Sequence, residues 1–216
     1  MTLKNVAICV WDFDGTLFHS NDRMFNAVRE AELRIIMEHT GWDHERALME
    51  FTKLHNVVTP SGTAVTAMLA KISHKTAALE TEKHFDRSRY LTRDEKLTTL
   101  FQTLSHFRHM MLTNGIEVNI RKTMLTMGLD SAIFERIVTP EFTRVTKPDP
   151  AAFAAVLSYT KLPAKEHLMI GDREAVDLVP AKTLGMRTCL VWSDVKSDIA
   201  DATVSTVYDV ATLLTP

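Results

Sequence analysis

The chain has 216 residues, 45% of them hydrophobic and 24% charged, with a formal net charge of −2 and an isoelectric point of about 6.5. This is the composition of a globular protein with a real core, and it lacks the basic excess that marks a nucleic-acid or membrane-surface binder. Cys9 and Cys189 each sit in an apolar run, which reads as two reduced core thiols of a cytoplasmic protein and not as a disulfide.

The first apolar run, residues 6–11, is too short for a signal peptide or a membrane span. It ends abruptly in Asp12-Phe13-Asp14-Gly15-Thr16. Helical pattern then covers 21–41, 43–55, 62–74 and about 76–84, with no strand among them. An ordinary crossover needs one helix, so residues 17–90 read as an inserted helical cap, with hinges near 17–22 and 86–93. The mixed charges of 71–96 read as a solvated face. A helix over 92–105 leads into a strand at 107–112. The Asn114-Gly115 turn precedes a helix over 118–127 that stops at Gly128, and a strand follows at 136–139. Asp149-Pro150 opens a helix running to about Tyr159, with Asp as N-cap and Pro in the first helical position. A strand at 168–170, a helix over 177–184 ended by Gly185, a strand at 188–192 and a weaker one at 204–207 complete the chain. Strands alternating with helices predict an α/β fold with a mostly parallel, doubly wound sheet.

Four polar signals fall at predicted strand ends or helix starts: Asp12 to Thr16, Thr113-Asn114, Lys147-Pro148-Asp149-Pro150, and Gly171-Asp172 through Asp177. Unpaired buried carboxylates are expensive, so Asp12 and Asp14 after a buried strand need a cation or a proton transfer to account for them. Mg²⁺ takes oxygen ligands, few of them carboxylates, together with substrate phosphate. Asp12 and Asp172 can supply the carboxylates, while the Thr113 hydroxyl, the Asn114 backbone N–H and the Lys147 ammonium are donors for phosphoryl oxygens.

This ordered set resembles the haloacid dehalogenase superfamily over nearly the whole chain. The resemblance implies a Rossmann-like core over residues 1–16 and 91–216 and a helical cap over 17–90. It implies a Mg²⁺-dependent phosphomonoester hydrolase acting through an aspartyl-phosphate. Asp12 would be the nucleophile and Asp14 the acid and base, with the Asp14 backbone carbonyl also on the metal. Thr113 and Asn114, with Gly15 and Thr16, would hold the phosphate. Lys147 would neutralise charge, Asp172 would ligate Mg²⁺, and Asp177 would stand behind the metal waters or Lys147. Asp177 also reads as an N-cap for its helix.

Asp14 disfavours carbon–halogen hydrolysis, because dehalogenases of this superfamily lack that second aspartate. Met24 stands where the sugar phosphomutases carry a cap histidine. His19 replaces an aspartate common among relatives and is a candidate substrate contact at the cap hinge. His106 and His109 have no accompanying ligand pattern for zinc. The expected partner is a small phosphoester, with 5′-nucleotidase-like and phosphoglycolate phosphatase-like substrates both open, and the expected assembly is a monomer or small homo-oligomer. A phosphotransferase or mutase on the same scaffold, or a non-catalytic phosphate-binding module, is the alternative.

Overall fold

The computed structural model describes residues 3–58 and 61–214. Residues 1, 2, 59, 60, 215 and 216, which the expected core and cap spans include, lie outside the described residues. Six strands, β1 (Ile8–Trp11), β2 (Arg108–Leu112), β3 (Arg136–Val138), β4 (His167–Gly171), β5 (Arg187–Leu190) and β6 (Ala202–Thr203), form one sheet. Its order is β3-β2-β1-β4-β5-β6, and every neighbouring pair is parallel. The sheet is apolar on both faces, as parallel sheets covered by helices are. Cys9 and Trp11 of β1 enter one core with Met111, Ile137, Leu168 and Ile170. Ile8 and Val10 enter the other with Met110, Val138 and Met169.

The order reverses between β1 and β4, so their carboxyl ends flank a topological switch point, the place where open α/β sheets bind ligands. After β1, and among the described residues, come four helices ahead of the 3₁₀ turn at 87–90: α1 (Asp22–Thr40), α2 (His44–Val57), α3 (Gly62–Ala70) and α4 (His74–His84). Leu33, Ile36, Ala47, Phe51 and Val65 from the first three form an apolar cluster of their own. Each of the four starts on a side-chain cap: Asn21, Asp43, Ser61 and Ser73 accept from the backbone N–H three residues on. Such caps contribute about 1 kcal/mol each. A short 3₁₀ turn, Arg87–Tyr90, returns the chain to α5 (Glu95–Thr103) and the sheet.

After β2 come α6 (Glu117–Met127), α7 (Pro140–Thr143) and α8 (Pro150–Thr160), then α9 (Val179–Thr183) after β4 and α10 (Val210–Leu214) at the end. The expected helix over 62–74 stops at Ala70, because Lys71 turns left-handed and Ser73 caps a new helix. The expected helix over 177–184 is a π-helical turn, Glu174–Leu178, joined to α9, with Pro180 in the first turn of α9 where a missing N–H costs little. β5 ends at Leu190, before the left-handed Trp192. β6 lies at Ala202–Thr203, ahead of the expected 204–207, and Val207 opens a 3₁₀ turn. No helix among the described residues is long and apolar enough to cross a membrane. Cys9 and Cys189 are buried free thiols, and burial pushes both pKa values up.

Two buried histidines are held neutral. His109 Nδ1 accepts from the Trp11 indole at 3.1 Å, and its Nε2 donates to the Leu104 carbonyl at 3.0 Å. His167 bonds Thr160 and the Pro163 carbonyl. Burial lowers the pKa of both from the ordinary 6.5. Below that value the unfolded chain takes up protons that the folded chain refuses, so stability falls as pH drops through about 6.5. Urea midpoints measured between about pH 8 and pH 5 should show this loss. It should shrink in a His109→Gln variant, whose amide can serve both hydrogen bonds without titrating.

Candidate active site

Asp12 and Asp172 are the first residues beyond β1 and β4. The Asp12 N–H donates to the Ile170 carbonyl at 2.9 Å, so the sheet ladder still fixes its backbone. The turn after Asp12 closes through Thr16 and Leu17 N–H groups on the Phe13 carbonyl. Gly15 has φ of 86°, and a Cβ there would overlap the Asp172 carboxylate. The turn therefore needs glycine twice, for its angle and for the close approach. Thr16 Oγ1 lies 3.0 Å from Asp12 Oδ2 and 3.3 Å from Asp172 Oδ1, within donor reach of both.

Lys147 is buried, and its Nζ donates to Asp12 Oδ1 at 2.5 Å and Asp177 Oδ1 at 2.6 Å. Burial opposes its charge, but Asp12 and Asp177 outweigh burial and raise its pKa, so it stays an ammonium. Its backbone is clamped by the Asn114 side chain, which donates to the Lys147 carbonyl at 3.0 Å and accepts from its N–H at 2.7 Å. Thr113 is buried; its N–H continues the ladder to the Val138 carbonyl, and its Oγ1 accepts from Gly115 N–H at 3.1 Å. Asp177 is buried inside the π-helical turn, where its other oxygen accepts the Arg173 N–H at 3.2 Å. It does not cap a helix.

Asp12, Asp172 and Asp177 each offer an oxygen, all within 4.8 Å of one another. Lys147 and Arg173 N–H already occupy both Asp177 oxygens. Among the described residues the Thr16 hydroxyl is the hydrogen-bond partner of the Asp172 carboxylate, and burial followed by the charges of Asp12 and Asp177 pushes its pKa up to about 7. This is a hard oxygen set with negative charge left over, and it fits Mg²⁺ with Asp12 and Asp172 as the available carboxylates.

The Asp14 carboxylate turns away from this cluster. Arg87 donates to both of its oxygens, at 2.6 and 2.9 Å, and pairs with Glu82 on the other side. Burial works against the Arg87 charge, and Asp14 and Glu82 outweigh it. Neither Arg87 nor Glu82 is signalled by a motif; the only hint is that Arg87 falls in the expected hinge. Asp14, Gly15, Asn114 and Asp172 line a cavity of about 240 Å³ together with Arg29 and Glu32 of α1. Arg173 also lines it. His19 is not brought there: it is exposed, with its ring 5.4 Å from that of Trp192, and it does not line this cavity.

Removing one member of a buried ion pair leaves the other uncompensated, at a cost of about 3–5 kcal/mol. Lys147→Met should lose stability on that scale in urea unfolding without metal, because Asp12 and Asp177 would then face each other and Asp172.

Residues 6–185 match the haloacid dehalogenase-like hydrolase family. The chain is 25% identical over 205 residues to a glyceraldehyde 3-phosphate phosphatase of Methanocaldococcus jannaschii, covering 89% of this chain and 87% of that protein. It is 35% identical over 86 residues to a protein of the same description from Pyrococcus abyssi, a match spanning 40% of this chain and about a third (35%) of that protein's length. The fold is similar to that of a HAD phosphatase from Thermococcus onnurineus, with a TM-score of 0.67 and 18% identity, covering 96% of this chain and 97% of that one. With the family matched across β1 to α9 and its four motifs gathered at one switch point, this chain belongs to the haloacid dehalogenase-like hydrolases.

Proposed function

We propose that the protein is a Mg²⁺-dependent phosphatase that hydrolyses a small phosphomonoester through an aspartyl-phosphate on Asp12. The observation that carries this reading is the buried Lys147 ammonium joining Asp12 and Asp177 beside Asp172, at the switch point of the sheet. An anionic nucleophile meeting an anionic phosphoryl group needs that positive charge. The relatives named as phosphatases support the reaction class.

A carboxylate oxygen of Asp12 attacks phosphorus as the ester P–O bond breaks, and the leaving oxygen takes a proton from Asp14. Water then attacks the phosphorus of the acyl phosphate and gives its proton to Asp14. Phosphate leaves and the Asp12 carboxylate is restored. Lys147 holds Asp12 in place and neutralises charge in both steps. The Thr113 hydroxyl and Asn114 N–H bind phosphoryl oxygens. Asp12, Asp172 and, as the family resemblance implies, the Asp14 carbonyl would hold Mg²⁺, which would supply further neutralisation of the transferring group. Asp14 has both oxygens on Arg87 in this arrangement, so its proton transfers require that contact to loosen. Helices α1–α4 act as a cap over residues 17–90 that excludes water from the reaction. The buried thiols fit a reducing cytoplasm.

Phosphate release from a panel of sugar phosphates, nucleotides and phosphoglycolate should require Mg²⁺, vanish with chelator and return on readdition; release unaffected by chelator would remove the metal from the reading. Asp12→Asn should abolish turnover while leaving the circular dichroism spectrum unchanged. Full activity in that variant would exclude Asp12 as the nucleophile.

A further inference from the structure

The cavity lining also carries a charge pair that the reaction steps above do not use. Arg29 and Glu32 lie one helical turn apart on α1, with Arg29 Nε 3.3 Å from Glu32 Oε2. The Arg29 guanidinium stacks 3.8 Å over the Phe51 ring, and its buried Nε, though ion-paired with Glu32, has no aligned hydrogen-bond acceptor among the described residues. Glu32 is 6% exposed, and its carboxylate fills the space that a Cβ on Gly62 would need at the start of α3. Burying the Glu32 carboxylate, with Arg29 half-buried beside it, costs desolvation that hydrophobic residues would avoid. In a ligand cavity it supplies a donor and an acceptor side by side.

We infer that Arg29 and Glu32 read the leaving group, and that together they select the phosphate ester of a small hydroxylated compound, a polyol or short sugar, over a phosphorylated acid. This rests on the phosphatase reading above.

Three observations favour this class. The cavity, about 240 Å³, also has to admit the phosphoryl group, and it falls below the range of roughly 300–1,000 Å³ typical of larger ligands. Ser20, Ser61 and Thr63 add further hydroxyls to the walls, and Met24, Phe25 and Val28 pack the remainder. The charge balance disfavours an acid. Arg173, the other arginine near Glu32, is exposed at the cavity and stands beside Asp177, Asp172 and Asp12, which keep it charged and offset part of its field. Arg29 and Glu32 therefore form a nearly neutral pair, and a carboxylate could reach Arg29 only alongside Glu32. A hydroxyl can donate to Glu32 and accept from Arg29 without breaking the pair.

Glycerol 3-phosphate and 3-phosphoglycerate share one three-carbon chain and differ in a terminal hydroxymethyl or carboxylate, so the ratio of their kcat/KM values is the test. Assays at about pH 8 keep Glu32 ionised, since burial pushes its pKa up to about 7 against the pull of Arg29 and Arg173. The native protein should prefer glycerol 3-phosphate. Glu32→Gln, which removes the repulsion and frees Arg29, should shift the ratio about tenfold toward 3-phosphoglycerate. Arg29→Gln should shift it the opposite way. A merely structural pair would lower both substrates in parallel. A ratio unchanged in both variants, with hydrolysis continuing, would overturn the assignment of the pair and leave the phosphatase reading standing. So would a native protein that hydrolyses p-nitrophenyl phosphate but neither three-carbon ester. No Mg²⁺-dependent hydrolysis of any of the three would overturn both.

Discussion

Everything at the carboxyl end of the sheet depends on one buried ammonium. Lys147 reaches Asp12 from 135 residues away and Asp177 from 30. Without it three carboxylates would share a dry space, a cost no hydrophobic packing nearby could offset. With it, two acids are hydrogen-bonded to an ammonium, while Asp172 has the Thr16 hydroxyl and the more distant charge of Arg173, which leaves its carboxylate open to a cation. The supporting contacts follow from this need. Asn114 clamps the lysine's backbone from both sides, and the Thr16 hydroxyl bridges toward the remaining oxygens. The site is thus an electrostatic balance held in place by ladder hydrogen bonds of the sheet.

The sheet was legible in the sequence wherever its signal was local. Residues 6–11 and 168–170 are apolar runs cut off by a glycine or an acid, and they correspond to β1 and β4, with the site residues at their ends. The helix starts at Asn21 and Asp43 were readable because a cap is a short-range hydrogen bond. The left-handed Lys71 was not, since nothing nearby in sequence distinguishes that lysine from one in a continuing helix. β6 escaped for a related reason: two residues of strand carry no periodicity, and only the partner β5 defines them.

The motifs marked Asp12, Lys147, Asp172 and Asp177, and the fold gathers all four. What they could not mark was the traffic between distant segments. Asn114 was marked for its backbone N–H, and nothing in the motif showed that its side chain would clamp the Lys147 backbone. Arg87, in a 3₁₀ turn, holds the carboxylate of Asp14 across 73 residues. Arg29 and Glu32 look like any i,i+3 surface pair until Phe51 of α2 stacks under Arg29 and the start of α3 covers Glu32. Each of these depends on where helices α1–α4 and their return segment lie against the sheet, and sequence periodicity holds no information about that placement.

Gly171, the last residue of β4, carries a further consequence. A Cβ there would come within 2.5 Å of the Asp177 Cβ. The strand thus ends on a missing methyl group, and an acid occupies the vacancy. Adding that methyl would push on Asp177, loosen its hold on Lys147, and reach Asp12 as an altered charge. A steric change in the sheet would arrive at the nucleophile as an electrostatic one, so at this point in the molecule shape and reactivity are the same variable.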